Sequence, residues 1–127
     1  MTDKRIVLTT ASSQEEARRI ANALVERRLA ACVNIVNKID SIYRWKDKIE
    51  ESEEFLLLIK TTAGAFSRVR DAIKELHSYE LPECVALPIE DGSEEYFKWI
   101  AESVGGCDEE AKPQKPKSQP KPDPDRR

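Results

Sequence analysis

Apolar and polar positions follow one another in blocks whose period switches between two and about 3.6 along the chain. Arg5 to Thr10 is a short β-branched run that predicts a buried strand. Ser13 and Glu16 stand at capping-box spacing, a hydroxyl and a carboxylate for the free amides of a helix start. Ala17, Ile20, Ala21, Leu24 and Val25 then recur at helical intervals and predict one inward face. Between Ala31 and Lys46 the period falls to two. Val33, Ile35, Ile39, Tyr43 and Trp45 share one parity, which predicts a long strand. Lys46-Asp47-Lys48 breaks it, and Ile49 to Thr62 returns as a second strand, making a long β-hairpin. Phe66, Val69, Ile73 and Leu76 mark a second helix, and Leu81-Pro82 interrupts the chain. Cys84 to Ile89 is a final strand, which Pro88 assigns to a sheet edge or a bend. Asp91 and Ser93 are candidate caps of a last helix with Tyr96, Phe97, Ile100, Ala101 and Val104 inward, ended by Gly105-Gly106 as a left-handed cap.

The order β-α-β-β-α-β-α predicts an α+β protein of ferredoxin-like, split βαβ type with an added C-terminal helix. The hairpin is longer than the helices of one small domain can cover. Its aromatic tip, Tyr43 and Trp45, calls for a partner surface, so self-association is expected.

Composition divides the chain at about residue 105. The last 23 residues hold five of the seven prolines, with six basic and five acidic side chains, and read as a disordered Pro/Lys-rich tail. The expected domain, residues 1–104, keeps 15 basic and 19 acidic side chains, a net charge of −4. Such a balance offers no field for a phosphate backbone, and nucleic acid is not an expected partner. The longest apolar run, Phe55 to Ile59, is strand length, far below a membrane span. The first residues lack the order of a signal peptide, so a cytoplasmic location is expected. Three distant cysteines, Cys32, Cys84 and Cys107, do not suggest a disulfide framework or a C-x-x-C metal site.

Candidate chemistry is sparse. His77 is the single histidine, and two roles are open to it: a cap at the end of the second helix, or a ligand or proton carrier. Cys32 is either a small buried hydrophobe or a soft thiolate for a thiophilic ion, although one thiol does not close a metal site. The acidic stretch Glu50-Glu51-Ser52-Glu53-Glu54 reads as a solvated arm rather than a hard-cation site. Lys60 closes a buried run, its amine reaching out or pairing with a carboxylate. Pro113-Gln114-Lys115-Pro116 matches P-x-x-P, as the tail's composition would produce anyway.

Several segments together resemble one family. Ala30-Ala31-Cys32-Val33-Asn34-Ile35, Ser41-Ile42-Tyr43-Arg44-Trp45-Lys46, Lys48-Ile49-Glu50, Leu57-Leu58-Ile59-Lys60-Thr61 and His77-Ser78-Tyr79-Glu80-Leu81-Pro82-Glu83, with the closing Tyr96-x-x-Trp99-Ile100, are similar to the CutA divalent-cation tolerance proteins over roughly residues 5–104. The resemblance implies a tight homotrimer similar in architecture to the PII signalling proteins, no firmly attached reaction, and an association with copper and other divalent cations. By resemblance, Cys32 matches the family's alanine-preceded cysteine, and His77, Tyr79 and Glu83 match its H-x-Y-x-x-P-E motif. Two further cysteines of some bacterial relatives correspond here to Thr9 and Ala72, and Asp47 stands where the family's hairpin normally has glycine. The first expectation is a non-enzymatic trimer holding copper or another divalent ion through Cys32 and His77, with Tyr43 and Trp45 at the trimer interface. The second is a PII-like sensor whose inter-subunit cleft takes a small molecule against Lys60, His77, Tyr79 and Glu83. A third, weaker one is an enzyme with His77 and Glu83 as acid and base.

Overall fold

A computed structural model describes residues 2–105; the proposed tail beyond Gly105 lies outside the described residues. The elements are β1 (Lys4–Ala11), α1 (Gln14–Glu26), β2 (Cys32–Trp45), β3 (Lys48–Thr62), α2 (Phe66–Leu76), β4 (Val85–Pro88) and α3 (Glu94–Ser103). The strands form one antiparallel sheet in the order β2-β3-β1-β4, so the protein is α+β and β4 is an edge strand. Pro88, opposite Arg5 at the end of that edge, leaves no interior ladder bond unmade.

The core lies on one face of the sheet. Val7, Leu57 and Ile59 meet Ile20 and Leu24 of α1 and Val69 and Ile73 of α2, all fully buried. The expected inward face of α1 is narrower than its pattern, because Val25 is exposed. At the helix start Ser13 Oγ accepts from the Glu16 amide at 3.0 Å, as the spacing requires. The Glu16 carboxylate does not return to Ser13; it bonds Ser12 instead.

α3 packs across the opposite face, with Phe97 5.9 Å from Lys4 Nζ and Ile100 fully buried. Its inward set is smaller than expected, since Tyr96 and Ala101 are exposed. Ser93 caps it, accepting from the Tyr96 amide, whereas Asp91 bonds the Gly92 amide. Gly105 is not a left-handed cap: none of the described glycines has positive φ, and the Gly105 amide donates to Arg28 O at 3.0 Å.

The hairpin is registered twice. At its base Val33 faces Ile59, as the core demands; at its tip Trp45 faces Lys48 around a two-residue turn, Lys46 and Asp47, both at positive φ. These two registers differ by one residue. A β-bulge between Val36 and Ile39, with Lys38 at φ 59°, absorbs the difference. Val33 and Ile35 therefore face the core, while Ile39, Tyr43 and Trp45, of the same parity in sequence, face the other way. This corrects the reading of β2 as a single alternating strand. β1 pairs β3 only from Phe55 onward, so beyond it the arm is a bare two-stranded ribbon. Seven residue positions on each strand make it about 24 Å long.

Candidate functional site

The arm and the segment after α2 enclose a groove of about 930 Å³, whose walls include Thr10, Tyr43, Trp45, Glu54, Tyr79 and Glu83. Each wall follows from the local fold. The bulge directs Tyr43 and Trp45 to the face of the arm that carries Glu54, which pairs with Ile39. Thr10 enters from the neighbouring β1, where it faces Leu56.

The third wall is held by Glu16 and His77. Glu16 is only 5% exposed, and its Oε2 accepts from the Ser78 amide at 2.8 Å while Oε1 accepts from the Ser12 amide and hydroxyl at 3.1 and 2.9 Å. Burial alone would raise this carboxyl. The bonds from Ser78 and Ser12 outweigh it and bring the pKa down to about 2. The His77 side chain is wholly buried. Its Nδ1 accepts from the Tyr79 amide at 3.1 Å, which places the ring proton on Nε2, and Nε2–H donates to Thr10 O at 2.5 Å. The Tyr79 ring lies against the imidazole with centroids 4.6 Å apart.

So positioned, the Tyr79 hydroxyl donates to Glu54 Oε2 at 2.6 Å, and Thr10 Oγ1 donates to the same oxygen at 3.2 Å. Burial, then this bond and the carboxylate's charge, hold the phenol protonated far above its ordinary range. Glu83 shares the groove, and burial followed by the negative charge of Glu54 raises its pKa as well. Glu54 is the residue that the sequence hides. It ends an acidic run read as solvated, yet it is only 7% exposed. The signal was its place next to Phe55, where the arm meets the sheet.

The sequence-derived candidates divide between two regions. Tyr79, Glu83, Tyr43 and Trp45 come together in the groove, and Tyr43 and Trp45 remain 42% and 37% exposed. Lys60 does not join them. It lies across from Cys32, and its Nζ donates to Asn34 Oδ1 at 2.5 Å. Cys32 and His77 are also apart within one subunit. Cys32 faces Lys60, whereas the Thr10 carbonyl that holds His77 belongs to the residue facing Leu56, four positions or about 13 Å along β3. Among the described residues no group of three or more His, Cys, Asp or Glu side chains is placed to hold a metal ion. Neither His77 nitrogen has a free lone pair, and the Lys60 ammonium lies on the strand beside Cys32. The residues of a single subunit therefore do not fit a chelated metal. Thr9 and Ala72 are both buried in the core, and Thr9 Oγ1 has no hydrogen-bond partner. No helix among the described residues is long and apolar enough to cross a membrane.

The sheet with its helices on both faces and a groove of carboxylates and aromatic rings defines a small α+β protein with a cleft beside its hairpin arm. The model of the CutA1 divalent ion tolerance proteins matches residues 5–103. A divalent-cation tolerance protein CutA of Thermus thermophilus is 53% identical over 80% of this chain and 99% of its own length. The solved Thermus structure superposes with a TM-score of 0.79 over 80% of this chain and 99% of that one. That of the Archaeoglobus fulgidus protein, described as periplasmic, is 46% identical over 80% of this chain and 99% of that one, with a TM-score of 0.78. The chain belongs to the CutA1 divalent ion tolerance family, whose name describes tolerance and not a reaction.

Proposed function

We propose that the chain is a non-enzymatic homotrimer of ferredoxin-like subunits that contributes to tolerance of divalent metal ions in the cytoplasm. Family membership supports the metal part of this reading. The exposed arm carries the assembly part. Ile42 and Ile49 are 68% and 64% exposed on one side of the ribbon, and Tyr43 and Trp45 stand on the other. A bare hairpin is marginal in water, and apolar surface on both of its faces needs covering by a neighbour. Cys32 supplies a soft donor for cuprous copper or another thiophilic ion. One thiol leaves a coordination shell open, so the ion is shared between subunits; His77 joins only by releasing Thr10 or Tyr79. The free thiols of Cys32 and Cys84 suit a reducing compartment.

Sedimentation equilibrium tests the assembly: three times the chain mass is expected, and a monomer at micromolar concentration refutes it. Copper titration of wild type, Cys32→Ala and His77→Ala tests the site. Weaker binding in Cys32→Ala is expected, and equal affinity in all three removes it.

The groove favours a second reading, a PII-like sensor of a small molecule. About 930 Å³ is ligand-sized, and Tyr79 and Glu83 stand in it together with Glu54.

A further inference from the structure

We propose that the groove, completed in the trimer by the neighbouring subunit that meets the arm, binds a small organic cation with a primary ammonium or guanidinium head, anchored on Glu54 and walled by the rings of Tyr43, Trp45 and Tyr79. This rests on the sensor reading and gives it a ligand class. The anchor is the main argument. Glu54 is more than nine-tenths buried, and both of its hydrogen bonds, from Tyr79 and Thr10, reach Oε2. Oε1 has no partner among the described residues. That oxygen opens into the groove, so a carboxylate otherwise nine-tenths buried presents its charge to whatever donor enters there. Tyr79 keeps the other oxygen occupied, because its amide is fixed to His77 and the next residue back, Ser78, is fixed to Glu16.

The balance of charge has the same sign. Glu54, Glu80 and Glu83 line the groove with a single basic residue, Arg44, whose position on the arm alternates with Tyr43 and Trp45 and so belongs to the other face of the ribbon. Burial first, and then the negative charge of Glu54, raise the pKa of Glu83, so the two carboxyls are near enough to repel one another. A bare divalent ion suits the groove less well: hard cations take six or more oxygens, and no cluster of three ligating side chains exists among the described residues. Aromatic faces are wasted on a hydrated ion but attract an organic ammonium or guanidinium. A nucleotide would carry its phosphates against Glu54 and Glu83.

Calorimetric titration of the full chain with methylguanidinium and 1,4-diaminobutane, against 1,4-butanediol and a nucleoside triphosphate, tests the inference. Saturable binding of the two cations is expected, at least tenfold tighter than the diol, with quenching of fluorescence that Trp45→Phe abolishes. Glu54→Gln should weaken the cations at least tenfold and Glu83→Gln about threefold, while Lys60→Gln, outside the groove, leaves them unchanged. Thermal melting verifies that each variant is folded; should Glu54→Gln not fold, Glu83→Gln decides alone, and unchanged affinity in it overturns the proposal. Cation affinity that survives Glu54→Gln overturns it as well. Saturable nucleotide binding without cation binding overturns the ligand class and leaves the sensor reading standing. Binding of neither overturns both.

Discussion

Glu16 holds the first helix start and the segment after α2 with a single carboxylate, and Glu16→Gln tests how much that is worth. The carboxyl pKa falls from an ordinary 4.5 to about 2 in the folded protein. A depression of that size corresponds to about 3 kcal/mol of folding stability, at roughly 1.4 kcal/mol per unit. Because the folded-state value is the lower one, the contribution is complete above pH 4.5 and is lost as pH falls through 2. Gln at this position keeps the shape but resembles the protonated acid at every pH. Urea unfolding of both proteins at equal protomer concentration, at pH 7, 4 and 2.5, measures the difference. The expected gap is about 3 kcal/mol at pH 7, narrowing progressively toward pH 2. A gap that does not change with pH would falsify the electrostatic account and leave only a packing defect.

Three other substitutions address separate features. Asp47 sits at φ 69° in the hairpin turn, where glycine is unstrained, so Asp47→Gly should raise stability by about 0.5–1 kcal/mol, read as a shift in denaturant midpoint. No shift would mean that the Asp side chain already compensates the backbone. Thr9→Val replaces a fully buried, unpaired hydroxyl with a methyl group and should stabilise by about 1 kcal/mol in the same assay; a loss of stability would show that the hydroxyl is bonded. Tyr79→Phe removes the stronger bond to a buried carboxylate and should cost about 1.5–3 kcal/mol, and a melting temperature equal to wild type would contradict the pairing with Glu54.

Much of the framework was legible because its signals are local. Ser13 to Glu16 is a spacing, Lys46-Asp47 is a turn between two strand-like runs, and Pro88 marks an edge. The bulge was not legible. Asn37 and Lys38 resemble any polar pair in a strand, and only the conflict between the register of the tip and that of the core requires an extra residue there. Half of the site could be read from the motif, since Tyr79 and Glu83, four residues apart in sequence, both line the groove. Glu54 escaped because charge predicts exposure, and its burial depends on Thr10 and Tyr79, which lie 44 and 25 residues away. His77 was ambiguous for a similar reason: the partners of its two nitrogens, the Thr10 carbonyl and the Tyr79 amide, belong to the backbone and leave no mark on residue type.

The doubly registered hairpin also restricts how this arm can change length. Its base is locked by the core and its tip by a two-residue turn, with one bulge absorbing the mismatch. Adding one residue to each strand of the ribbon would exchange its two sides, putting Ile42 and Ile49 where Tyr43 and Trp45 now stand. Only two residues on each strand would preserve both. The reach of the arm is therefore quantised in steps of about 7 Å, and any lineage that lengthens it by a smaller step must also rebuild the surface it meets.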